Sequence, residues 1–416
     1  MSSFEVPDVA INIELYKLSC FYHVFNPNTT EIFGYHFYRF TGILLTVCIQ
    51  LCVLFGLLGC CMEMEDTINY IERFIFIFVN SSNFLSVVKI CVFIYKAKDT
   101  WDLFDVTRVN FLKSEQCCKF RNEILEKVRN KSIRLTNFIF GFATMTFIIW
   151  IIYPLVVNFF LIATDQNNHQ RYQNIFNMRY PVSINTYNKY FFIFYAIEVI
   201  MGLFILYNSI LIDTFLVSFC WVFIAQYKIL SKAFENIELK DVDKLNKNCS
   251  INAYNDLKLI LGDQRRLNSK LKLYYSIIWY MVLTYVVFSS CSIITLTYSF
   301  IMVCISTTKS LPVLSIIKII APFIIVSFQL FLHCYFFGLI NFKKESVTYG
   351  MYSCDWTSMD LKFKKLLLLS MRMNDVDTLM IKATPTKIIN LEFFVKVMIT
   401  TYNIVSAMLN TFNSKI

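Results

Sequence analysis

Apolar residues in this chain gather into blocks of about twenty, the length that carries an α-helix across roughly 30 Å of hydrocarbon, and charged residues fall mainly between the blocks. The pattern predicts spans at 40–62, 74–95, 138–163, 191–224, 274–305, 316–340 and 391–412. The last is the odd one. Its stretch TTYNIVSAMLNTF carries Thr400, Thr401, Tyr402, Asn403, Ser406, Asn410 and Thr411, too many polar groups for a helix surrounded by lipid.

Between the spans the charge alternates. The segments 96–134, 226–272 and 341–373 hold most of the Lys and Arg, whereas the loop with Glu63, Glu65 and Asp66 is acidic, 164–189 has few basic residues and the loop around Lys309 is short. Basic loops stay in the cytoplasm, which predicts a cytoplasmic N-terminus and, after seven crossings, an extracellular C-terminus. Two of the basic segments also read as helices. Phe120, Ile124, Val128 and Ile133 recur near helical spacing ahead of the third span, and Leu257, Leu261, Leu267 and Leu271 do so ahead of the fifth. Both spans are predicted to begin as helices projecting into the cytosol and packing as a bundle.

Composition sharpens this. A 416-residue chain that is 56% apolar and 16% charged, with a mean hydropathy of +0.53, is an all-α integral membrane protein. Gly and Pro are scarce at 9 and 7 residues, which argues against a transporter built on broken helices; no repeated halves are evident either. The N-terminal segment lacks a basic start followed by an apolar core, so the first span is expected to act as the targeting signal. A net charge of +10 resides in the basic loops, where lipid headgroups and solvent are the expected partners, not nucleic acid. The cysteines show no zinc-type spacing and sit mostly in apolar runs, as packing residues; a bridge from Cys60 or Cys61 stays open.

Enzyme chemistry finds no footing. His23, His36, His169 and His333 are scattered over different elements, with no phosphate-binding glycine loop or nucleophile elbow. No cofactor or metal is expected, and His333 reads as a hydrogen-bonded core residue. The sequons at Asn28, Asn80, Asn130 and Asn248 fall inside the cell or the membrane and are expected to carry no sugar. Two charges within the fourth span must face protein or water: Asp213, read as a structural hydrogen-bonding residue, and Glu198 in its outer half, where a ligand cavity is the alternative to protein packing.

These residues carry a resemblance. Asp213–Thr214 in the fourth span, Phe337–Gly338 followed by Ser346, Tyr349 and Trp356, a Leu-rich run ending in Met371–Arg372, and Thr401–Tyr402 in the final segment together resemble the insect odorant receptor family, with RMNDVD replacing its usual Arg-Ser-Gln continuation. The resemblance implies a tetrameric ligand-gated cation channel in the plasma membrane of olfactory sensory neurons, each subunit lending its last helix to a central pore. It also implies three functional parts: residues 1–340 with the odorant pocket, a cytoplasmic anchor over 341–390, and a pore helix over 391–416. Val405 and Leu409, four apart on one helix face, then fall at a hydrophobic gate; packing is their alternative role. The implied pocket lies in the outer half of the bundle, where the candidates are Phe74 and Phe78, Thr146 and Trp150, and Tyr195 and Val199, for a volatile apolar odorant. The compact loop of 226–272 fits a tuning subunit partnered by the coreceptor in a heterotetramer. A gustatory receptor is the alternative within the superfamily, only half matched by the ending TYNIVSAMLNTF. A G-protein-coupled receptor is disfavoured, since the outside N-terminus, the Asp-Arg-Tyr-like end to the third span and the Asn-Pro-x-x-Tyr seventh span that it needs are all missing.

Overall fold

The computed structural model describes residues 9–29, 31–32, 35–62, 70–163, 171–237, 247–305, 312–376, 379–384 and 386–413. Two short helices, α1 (Ile13–Leu18) and α2 (Phe21–Phe25), lead into α3 (Phe37–Met62) and α4 (Tyr70–Tyr95). The short α5 (Ala97–Leu103) precedes the long α6 (Glu115–Ala163), and α7 (Ile184–Lys189) precedes α8 (Phe191–Glu235). Then come α9 (Lys247–Ile305), α10 (Pro312–Ser353), α11 (Leu361–Val376) and α12 (Leu391–Asn413). The strands form two small antiparallel hairpins, Glu31–Ile32 with Tyr35–His36 and Lys382–Thr384 with Lys387–Ile388.

Seven of these helices, α3, α4, α6, α8, α9, α10 and α12, are long and apolar enough to cross a membrane. Four of them are far longer than a bilayer needs. At 1.5 Å per residue, the 45 residues of α8 extend about 68 Å, roughly twice the hydrocarbon thickness. The expected extensions of α6 and α9 are present, and α8 and α10 extend in the same way, so that residue 340 falls inside α10 and not at its end. The face of Leu257, Leu261, Leu267 and Leu271 is buried within its own chain.

The extensions converge on a dense basic end. From Ile210 to Cys220 every residue of α8 is buried, because α6, α9 and α10 all pack against it. Phe21, Phe25, Phe93 and Phe104 surround Phe215 at ring-centroid distances of 5.3 to 5.7 Å. Within this layer the Lys89 ammonium donates to Asp213 Oδ1 at 2.6 Å and lies 5.0 Å from the Tyr285 ring centre. His333 Nε2 stands 3.7 Å from the same oxygen. One charge cluster thus ties α4, α8, α9 and α10 together. Asp213 has the structural role its sequence position suggests, and Lys89, which the pattern of apolar blocks conceals, is its counter-ion. The described cysteines are free thiols; Cys60 and Cys61, Glu63, Glu65 and Asp66, His169, Asn248 and Lys309 lie outside the described residues or have undescribed side chains.

Candidate functional site

Towards the other end of α8, next to this buried stretch, a pocket of about 160 Å³ opens between α4, α6, α8 and α10. Its walls are apolar and aromatic: Phe78, Phe147, Trp150, Phe176, Ile205 and Val326. The Trp150 ring stands 6.2 Å from Phe78 and 6.3 Å from Phe176. Polar groups in the lining are few, namely Ser82, Thr146, Ser209 and Gln329. Pro322, also in the wall, has no N–H for the helical ladder of α10.

Phe176 reaches the pocket from a loop, and the loop is held by Glu198. The amides of Ile175 and Phe176 donate to Glu198 Oε2 at 2.8 and 3.1 Å, and the Tyr180 hydroxyl donates to Oε1 at 3.2 Å. Burial first, and the Glu198 charge second, push the Tyr180 hydroxyl well above its ordinary range, so it stays protonated and donates. Asn158 reinforces the strap, accepting from the Gln173 amide and donating to its carbonyl, both at 2.8 Å. Asn177 turns the strap with φ at 55°, a left-handed conformation that Asn tolerates. The strap then lies directly on α3: a Cβ on Gly59 would sit 1.9 Å from the Arg179 carbonyl oxygen, so only glycine permits the approach. Gly202 does the same for the pocket, since a Cβ there would sit 2.3 Å from the Phe147 ring and 3.0 Å from Phe176.

Among the sequence candidates, Phe78, Thr146 and Trp150 meet in this pocket. The side chain of Phe74 lies outside the described residues. Tyr195 and Val199 are not in the lining. They share a face of α8 with Gly202 and Leu206, but Tyr195 lies seven residues, about 10 Å, nearer the loop end, where its hydroxyl bonds to the Ile151 carbonyl. Glu198, a cavity candidate, is fully buried and binds the strap instead. Sequence reasoning missed Phe176, Gly202 and Ser209; the spacing 202, 206, 209 on one face of α8 was the available signal. On α12, Val405 is 4% exposed and Leu409 half-buried, whereas Tyr402 is 73% exposed.

Seven candidate spans, four of them enclosing a small aromatic pocket, define a polytopic helical membrane protein. A family profile described as 7tm Odorant receptor matches residues 73–402, and the chain belongs to that family, the insect odorant receptors. The fold is that of the insect olfactory receptor OR5 from Machilis hrabei, with a TM-score of 0.73 at 13% identity over 96% of this chain and 99% of the other. The same receptor in complex with eugenol matches with a TM-score of 0.73 at 14% identity and the same coverage. No curated protein sequence matches the chain.

Proposed function

We propose that this chain is the odorant-tuning subunit of a ligand-gated, non-selective cation channel, receiving a volatile apolar molecule in the pocket between α4, α6, α8 and α10. The observation that carries the reading is the pocket itself, about 160 Å³ walled by Phe78, Trp150 and Phe176 with few polar groups. Such a site suits a small ligand whose affinity comes from dispersion and water release. The eugenol complex of the Machilis receptor supports a small aromatic ligand of this kind.

The pore is assigned to α12, the least apolar of the seven candidate spans, whose outward face carries Tyr402, Asn403 and Ile404. A polar exposed face on a span calls for water or a neighbouring subunit. The chain works in the plasma membrane of olfactory neurons, in a heterotetramer with the coreceptor, N-terminus inside and C-terminus outside, with Leu409 at a dewetting gate, Val405 packed against its own chain, and 341–390 in the anchor between subunits.

The test is current in a host cell expressing the chain with and without coreceptor, under a panel of volatiles. Odorant-evoked cation current that needs this chain is the expected result; surface-expressed chain that adds no ligand response would overturn it. Leu409→Gln, paired with the matching change in the coreceptor, should raise the ligand-free current, since a polar ring holds water where an apolar one expels it. Tags placed beyond Ile416 should label on intact cells, and tags ahead of Met1 only after permeabilisation.

A further inference from the structure

The pocket's hydroxyls do not offer their protons. Each Ser or Thr hydroxyl has one proton to give and two lone pairs to receive. Ser82 Oγ donates to the Phe78 carbonyl at 2.9 Å, and Thr146 Oγ1 donates to the Phe142 carbonyl at 3.0 Å. Ser209 is subtler. Its Oγ lies 2.9 Å from Ser86 Oγ, and the Ser86 proton is directed to the Ser82 carbonyl at 3.0 Å. In that bond the Ser209 hydroxyl is therefore the donor and Ser86 the acceptor. Three walls of the pocket, α4, α6 and α8, thus each present a hydroxyl whose proton is committed and whose lone pairs remain.

We infer that the pocket discriminates by hydrogen-bond sense, selecting alcohols and phenols over ethers and ketones of the same skeleton. A ligand hydroxyl donates to Ser82, Thr146 or Ser209 without disturbing an existing bond, and still accepts from a wall donor. The wall donors are the two N–H groups of the Gln329 amide. An ether or ketone accepts only, so it uses those donors and leaves the three hydroxyls facing a group that cannot reply. Size narrows the class further: an apolar cavity of about 150 Å³ takes a benzene-sized guest, which matches the volume of about 160 Å³. The ligand class is a small alcohol or a single-ring phenol. The selectivity rests on the pocket being the odorant site.

The test uses matched pairs on the chain expressed with coreceptor: benzyl alcohol against benzyl methyl ether, 4-methylphenol against 4-methylanisole, and 2-heptanol against 2-heptanone. One net hydrogen bond of the usual strength predicts half-maximal concentrations about three- to tenfold lower for each hydroxyl member. Ser209→Ala and Thr146→Val should shrink that ratio toward one by weakening the hydroxyl member more than its partner, which a general loss of folding would not do. Equal potency within the pairs, with both members weakened by Trp150→Ala, would overturn the selectivity and leave the pocket as the odorant site. Potencies untouched by Trp150→Ala, with the variant at the surface, would overturn the site and the selectivity with it.

Discussion

The two ends of the helix bundle are built to opposite specifications. At the basic end α8 is buried on every side and the space is filled by interlocked aromatic rings around Phe215, with the Lys89–Asp213 pair sealed among them. At the loop end the same helix contributes Gly202, Ile205 and Ser209 to an open space, roofed by a strap that α8 itself holds through Glu198. Both ends contain one buried carboxylate of α8, yet the two carboxylates do different things. Asp213 neutralises a cation and clips helices; Glu198 gathers backbone N–H groups and positions a loop. The solid end leaves no space for a guest, and the hollow end encloses the pocket proposed for the odorant.

The contrast is sharpest for the buried ion pair. Lys89→Met leaves Asp213 in an apolar layer without its principal cation, a loss expected to cost about 3–5 kcal/mol and to abolish the folded peak in detergent-solubilised protein. Replacing both partners, Lys89→Met with Asp213→Leu, should recover most of that peak, since a buried pair is often exchanged for apolar packing at little cost. A double variant as poor as the single one would show that His333 and Tyr285 depend on the charges as well.

At the hollow end the expected effects move from folding to sensitivity. Trp150→Ala removes the ring shared with Phe78 and Phe176 and should raise the half-maximal odorant concentration by more than about tenfold, as emptying a buried aromatic site commonly removes a few kcal/mol of contact. Surface labelling should stay near wild type; its collapse would mean that the pocket is as structural as the basic end. Gly202→Ala should act in the opposite physical sense, pushing the Phe147 ring into the space, with a cost of about 1–3 kcal/mol read as a loss of sensitivity of about tenfold. Larger odorants should suffer most in that dose series. The smallest effect belongs to the strap. Glu198→Gln keeps an acceptor for the Ile175 and Phe176 amides but removes the charge, weakening the hold by about 1 kcal/mol. Current decay after odorant washout should quicken about fivefold, with little change in protein yield; an unchanged decay would mean that the strap does not limit ligand exit.

How much of this was legible in the chain differs from feature to feature. The spans were plain because hydrocarbon demands about twenty apolar residues whatever the neighbours are, and Ile124, Val128 and Leu257 announced the extensions through helical spacing. Phe78, Thr146 and Trp150 were placed by depth and face along single helices, which a sequence encodes. Tyr195 and Val199 share the pocket's face of α8 but sit nearer the loop end, where the Tyr195 ring packs on Phe191 and its hydroxyl bonds to the Ile151 carbonyl. The strap was invisible: 164–189 reads as an ordinary loop until Glu198 and Gly59 are brought beneath it.

What the sequence determined by itself was therefore everything governed by local periodicity and by the solvent: seven apolar helices, the basic and basic-poor ends, and the polar last span. Tertiary structure alone decided the pairings across long separations. Lys89 meets Asp213 over 124 residues, Glu198 collects amides 22 and 23 residues earlier, and the Ser86 and Ser209 hydroxyls meet over 123 residues. Such contacts depend on which faces of two packed helices meet and at what height. Helical periodicity specifies a face relative to its own helix, and the docking of that face on another helix is set only when the whole bundle closes.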